Sequence, residues 1–162
     1  MIKAILFDLD GTLVDSEPLH YSSHAHALSH AKIKLSESDY IGRGMNRSSR
    51  LFYAEMATLN GRDIDYSQLH AHKQSHFNEN MHTIKLFPRL KEIITNLKDN
   101  YLLGIVTAAP TSYAQQVLNI NGVAGLFNVI IGSNDYQKNK PEPDPYLLAC
   151  KRLGVAPSEC IA

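Results

Sequence analysis

Only two cysteines occur in the 162 residues, Cys150 and Cys160. Such a pair builds no disulfide framework and predicts a reducing, cytoplasmic setting. Net charge is also missing, because 16 Lys and Arg balance 16 Asp and Glu. That balance leaves no electrostatic footprint for nucleic acid or for an anionic membrane surface. Long hydrophobic runs are absent too. The longest, near Tyr101 to Val106, is about six residues, where a membrane span needs roughly 20. The chain enters its first strand directly, which predicts no signal peptide. No internal repeat or low-complexity segment is found. What remains is an ordinary soluble globular composition, 44% hydrophobic, at a length that suits one domain or two small ones.

The chemistry is concentrated near the start. Ala4 to Phe7 is a continuous apolar run, the pattern of a parallel strand covered on both faces. It runs into Asp8, Asp10 and Asp15. Asp8 falls at the carboxyl end of the strand, where open α/β sheets place their ligands. Gly11 lets the backbone turn after Asp10. Two carboxylates this close repel unless a cation joins them, and a hard ion such as Mg²⁺ suits them. Asp8 is read as nucleophile and metal ligand. Asp10, also a metal ligand, is read as the group that protonates a leaving oxygen and later takes a proton from water.

From residue 16 to 82 the pattern is wholly helical. Ser16 is placed to cap a helix opening with Glu17 and Pro18 and running to about Ala31. Ser36 to Asp39 suit a short capped helix, and Gly42 to Ser48 read as a loop with two glycines. Phe52, Met56 and Leu59 give one helical face, ended by Asn60-Gly61. A further helix spans about Asp65 to Met81. Strand and helix then alternate. Pro88 starts a helix with Leu90, Ile93, Ile94 and Leu97 on one face. Leu102 to Thr107 is a second buried strand, and Ala114, Val117 and Leu118 mark the next helix. Val129 to Ile131 is a third strand. A helix with Tyr146, Ala149, Cys150 and Leu153 on one face stops at Gly154. Glu159 to Ala162 read as the opening of a fourth strand. This order predicts an α/β fold, a parallel Rossmann-like sheet with right-handed crossovers and an inserted helical cap. The expected division is 1–15 with 83–162 as core and 16–82 as cap.

Phe7-Asp8-Leu9-Asp10-Gly11-Thr12-Leu13-Val14-Asp15-Ser16 resembles the first motif of the haloacid dehalogenase (HAD) superfamily. Glu17-Pro18-Leu19-His20, which follows, is similar to the branch holding β-phosphoglucomutase, sugar-phosphate phosphatases and phosphoglycolate phosphatase. Val106-Thr107-Ala108-Ala109-Pro110 resembles the second motif, with Ala108 where family phosphatases often carry Asn or Ser. Thr107 ends its strand as Asp8 ends the first. Its hydroxyl, with the amides of Ala108 and Ala109 near a helix N-terminus, makes a phosphate cradle. Lys140-Pro141-Glu142-Pro143-Asp144-Pro145-Tyr146 resembles the third motif, in which Lys140 neutralises phosphate and Asp8 together. The competing Lys138 lacks that match. The resemblance further implies substrate contact at Leu9. Gly44-Met45-Asn46-Arg47 is similar to the segment that reaches over the site in the β-phosphoglucomutase branch, which implies that Arg47 would meet a distal phosphate or sugar oxygen, with Arg43 as substitute. His20 lies one helical turn past the hinge and is read as facing the substrate.

Three histidine pairs, His20/His24, His26/His30 and His72/His76, have the i, i+4 spacing of zinc ligands. No third ligand converges in the sequence, so apart from His20 they are read as surface residues. The family's fourth, acidic motif finds no counterpart before Ala162, so the chain is expected to be a fragment or a truncated member. Without that motif the metal is held more weakly. The strand Ile2 to Phe7 is then expected to have a bare edge, inviting self-association. The resemblance implies a Mg²⁺-dependent phosphatase of a small phosphate monoester acting through an aspartyl-phosphate. A phosphomutase is the neighbouring reading, and a catalytically silent structural or interaction module is the rival from another class. A C–halogen dehalogenase has no need of Asp10.

Overall fold

The computed structural model describes residues 1–45 and 47–162; Asn46, in the glycine-bearing loop, lies outside the described residues. Along the chain come β1 (Ala4–Phe7), β2 (Val14–Asp15), α1 (Glu17–His30), α2 (Glu37–Asp39), α3 (Ser49–Leu59) and α4 (Tyr66–Asn80). There follow β3 (Lys85–Leu86), α5 (Leu90–Lys98), β4 (Leu102–Val106), α6 (Thr111–Ile120), β5 (Val129–Ile131), α7 (Asp144–Leu153) and β6 (Cys160–Ile161). The residues fall into two compact units, 1–16 with 84–162, and 17–83.

The first unit is built on a parallel sheet of order β5-β4-β1-β6, the α/β architecture the alternation predicts. Leu103 to Val106 of β4 are buried throughout, as a central strand covered on both faces requires. Leu6 of β1 pairs with Gly104, and Gly104 pairs with Val129. A Cβ at Gly104 would stand 2.8 Å from Leu6 Cδ2 and 2.9 Å from Val129 Cγ1. Glycine is therefore the residue that lets both neighbours fill the same face. Helix α6 buries Ala114, Val117 and Leu118 completely. Each large apolar side chain buried this way contributes about 1.5–3 kcal/mol.

Several expectations change. The first strand is not an edge. β6 pairs with β1 at Ala4–Cys160 and Ile5–Ile161, and Lys3 N donates to Glu159 O at 2.8 Å. The expected bare edge is covered at Ala4 and Ile5. Helix α5 begins at Leu90 rather than Pro88, because Arg89 sits at φ 67° between them. Ile94 is buried in α5, but Ile93 is 44% exposed. Finally, β2 and β3 form an antiparallel ribbon, Val14 with Leu86 and Asp15 with Lys85. Two residues per strand leave no period to read.

The second unit is helical throughout its described residues. Its core gathers Ala27, Leu28, Ile33, Leu35, Tyr40 and Phe52, among others. Ser36 caps α2 and Ser48 caps α3, each side chain accepting from a backbone N–H three residues on. Asp65 caps α4 by accepting from Ser67 N and Gln68 N. Tyr40–Gly44 forms a π-helical turn that takes in Gly42 to Gly44, the first residues of the expected loop. The buried stripe of α3 is Phe52, Tyr53, Met56 and Ala57. That stripe is centred nearer Tyr53 than the predicted face, and Leu59 consequently stands 58% exposed. Among the described residues, no helix is long and apolar enough to cross a membrane.

Candidate active site

Two neighbouring parallel strands end side by side in polar residues. Asp8 follows β1 and Thr107 follows β4, and the last paired rung before them is Phe7–Ile105. Asp8 is exposed, 46% for its side chain. Its Oδ1 accepts from Leu9 N at 2.8 Å, while the Leu9 side chain is fully buried. Lys140 Nζ lies 3.2 Å from Asp8 Oδ1 and donates to Val106 O at 2.7 Å. It also stands 5.3 Å over the Tyr146 ring. A carbonyl, a carboxylate and an aromatic face thus hold one ammonium at the strand ends. Lys138, the competitor, is exposed.

Asp10 is turned into place by the loop that follows it. Gly11 adopts φ 72°, and its N–H donates to Val14 O at 2.9 Å. The turn needs this left-handed φ, which strains any residue but glycine. Asp10 Oδ1 then accepts two hydrogen bonds, from Ser16 Oγ at 2.7 Å and Tyr113 OH at 2.8 Å. Both donors fix one oxygen and set the orientation of the whole carboxylate. The Tyr113 phenol is pushed well above its ordinary range, first by burial and then by the Asp10 charge. It is a permanent donor at any physiological pH.

Thr107 is 1% exposed, and its N–H donates to Ile131 O at 2.9 Å. Its Oγ1 accepts from Ala109 N at 3.1 Å. A hydroxyl used as acceptor keeps its own proton to donate. Tyr136 OH donates to Thr107 O at 3.0 Å and steadies the turn. Ala108 is exposed at the turn's tip.

Asp8, Leu9, Asp10, Thr107, Ala108 and Lys140 thus share one unit. His20 and Arg47 belong to the helical unit. His20 packs on Phe77, ring centroids 4.8 Å apart. Arg47 Nη1 donates to Glu55 Oε2 at 2.7 Å and to Arg43 O at 3.1 Å, and Arg43 pairs with the same Glu55. Sequence reasoning missed three contributors. Ser16 was legible within the motif string but was assigned to capping α1. Tyr113 and Tyr136 had no signal, since their partners are distant in the chain.

Hard oxygen donors are what Mg²⁺ takes, and Asp8 and Asp10 supply them at adjoining positions. Among the described residues no group of three His, Cys, Asp or Glu side chains gathers for a metal. An ion at Asp8 and Asp10 would have to fill its remaining positions with water and phosphate oxygens.

Residues 5–162 match the family model described as haloacid dehalogenase-like hydrolase. The chain is 31% identical to a phosphoglycolate phosphatase of Escherichia coli O157:H7 over 99% of its own length and 72% of that protein. It is 29% identical to the pyrophosphatase PpaX of Bacillus velezensis, over 99% of the chain and 73% of the relative. The crystal structure of a predicted phosphoglycolate phosphatase from Haemophilus somnus 129PT superposes with a TM-score of 0.83 at 26% identity, covering 98% of this chain and 75% of that one. With nearly its whole length matched by the family model, the chain belongs to the haloacid dehalogenase-like hydrolases.

Proposed function

We propose that the chain is a Mg²⁺-dependent phosphatase of a small phosphate monoester, working through an aspartyl-phosphate on Asp8. The observation that carries this reading is the ion pair of Lys140 with Asp8, 3.2 Å, at adjoining strand ends. An ammonium there neutralises the charge that a phosphate brings to a carboxylate nucleophile. An Asp8 oxygen attacks phosphorus, and the leaving oxygen takes a proton from Asp10. Water then attacks the phosphoryl group, giving its proton to Asp10 and releasing Asp8. Ser16 and Tyr113 hold Asp10 so that its other oxygen serves both transfers. The Thr107 hydroxyl and the Ala108 amide hold phosphoryl oxygens. Asp8 and Asp10 would hold Mg²⁺, which would supply charge stabilisation for the transferring group.

Substrate choice is assigned to the helical unit, through His20 and Arg47. The relatives named above are a phosphoglycolate phosphatase and a pyrophosphatase, which supports a small phosphorylated substrate without naming it. A cytoplasmic setting agrees with the two free cysteines.

The test is phosphate release from a panel of sugar phosphates, phosphoglycolate and pyrophosphate, with and without Mg²⁺, beside an Asp8→Asn control. Metal-dependent release abolished by the control is the expected result. Exchange between hexose phosphate isomers in place of release would turn the reading to a phosphomutase. No release from folded protein would overturn it in favour of a silent module.

A further inference from the structure

Outside the strand-end cluster, one pair of thiol side chains has no part in phosphate chemistry. Cys150 lies on α7 and Cys160 opens β6. The chain turns back between them through Gly154 and a short turn at Pro157–Glu159. Their sulfurs stand 3.1 Å apart, and both are free thiols. A disulfide bond is about 2.05 Å, so roughly 1 Å of approach closes it. Both residues pack on the cluster of Leu6, Val106, Ile131 and Ala149, where α7 lies against the sheet whose last strand is β6.

We propose that Cys150 and Cys160 form a dithiol modification site, oxidised reversibly to an intramolecular disulfide by low-molecular-weight disulfides. Cys160, half-buried, is the sulfur a reagent reaches, while Cys150 is 4% exposed. The Cys160 thiolate attacks one reagent sulfur, forms a mixed disulfide and expels one reagent thiolate. The Cys150 thiolate then attacks the Cys160 sulfur and expels the second. Two protein thiols lose two electrons and two protons, and one reagent disulfide becomes two thiols. Burial, with the neighbouring Cys150, pushes the Cys160 thiol up to about 11. Since the thiolate is the nucleophile, the first step is slow at neutral pH and quickens as pH rises.

The bridge would fasten β6 to α7. β6 is the strand that covers β1 at Ala4 and Ile5, three residues before Asp8. The modification therefore acts on the sheet edge beside the nucleophile's own strand.

The reduced chain is incubated without oxygen in oxidised glutathione at neutral and at alkaline pH, then measured by intact mass and peptide mapping. Loss of two hydrogen masses, with a Cys150–Cys160 cross-link, is expected. Its rate should rise close to tenfold per pH unit below the Cys160 pKa, and dithiothreitol should reverse it. Amide exchange at residues 159–161 should slow in the bridged form. Cys150→Ser should stop at a glutathione adduct on Cys160, and Cys160→Ser should stay unmodified. Any of three results overturns the proposal: both thiols unreacted at alkaline pH, stable adducts on both cysteines, or cross-links only between chains.

Discussion

In the sheet unit, polar side chains converge on strand ends: Ser16 and Tyr113 on Asp10, and Lys140 between Val106 O and Asp8. In the helical unit they close on one another. Arg43 and Arg47 share Glu55, His24 Nδ1 meets Tyr53 OH at 2.9 Å, and His30 stacks on His72 with centroids 3.7 Å apart. One arrangement aims charge at a solvent-facing point. The other ties helices together. Substitutions should accordingly change chemistry in the first unit, and stability or substrate affinity in the second.

The sharpest way to break that contrast is Asp8→Asn, which should lower kcat by at least about a thousandfold with little change in Tm. A large loss of stability instead would make Asp8 a structural residue. Lys140→Ala should cost kcat about 100-fold, measured on the best substrate of the panel. A rise in KM alone would assign the lysine to ground-state binding.

The corresponding substitution in the helical unit is at His24. Burial first, then the charges of Lys73, His20 and His70, depress its pKa to about 3 from 6.5. Below pH 6.5 the unfolded chain takes up a proton that the folded chain refuses. Stability present above 6.5 is therefore lost as pH falls toward 3, by about 1.4 kcal/mol per pH unit. Denaturant unfolding across that window should show the slope, and His24→Gln should flatten it without altering kcat at neutral pH.

Tyr113→Phe comes next, because it removes one of two donors to Asp10. A hydrogen bond to a charged group is worth about 1.5 kcal/mol or more, so kcat should fall roughly tenfold with KM held. Equal loss in folding stability would make Tyr113 a packing residue only. Arg47→Ala should have the smallest effect, a KM rise of about threefold with kcat unchanged, given its exposed position. No change in KM would leave Arg47 with Glu55 alone.

Much of this was legible because strand ends are legible. Asp8 and Thr107 each follow an apolar run, and the motifs around them and Lys140 are local strings. Tyr113 was not legible, since its hydroxyl meets Asp10 from 103 residues away. Periodicity placed α3 and α5 but not their neighbours, so Leu59 and Ile93 were assigned to faces that the packing leaves outside. His20 and Arg47 lie on the expected elements, yet their partners Phe77 and Glu55 follow from helix packing that no single segment encodes. Cys150 and Cys160 are ten residues apart in sequence, and only the turn between α7 and β6 makes them neighbours.

The ribbon of β2 and β3 carries a lesson about descent. Asp15, one residue before the sheet unit's last residue at Ser16, is the ladder partner of Lys85, one residue after the unit resumes at Ile84. Such partners sit about 5 Å apart, whatever separates them in sequence. The slot between them therefore sets no length and no composition for what it receives, as insertions between adjacent chain ends generally do not. Whole inserts can be traded at that rung by recombination while the ladder and the carboxylates stay as they are. Under the proposed function, substrate choice and chemistry would then diverge at separate rates.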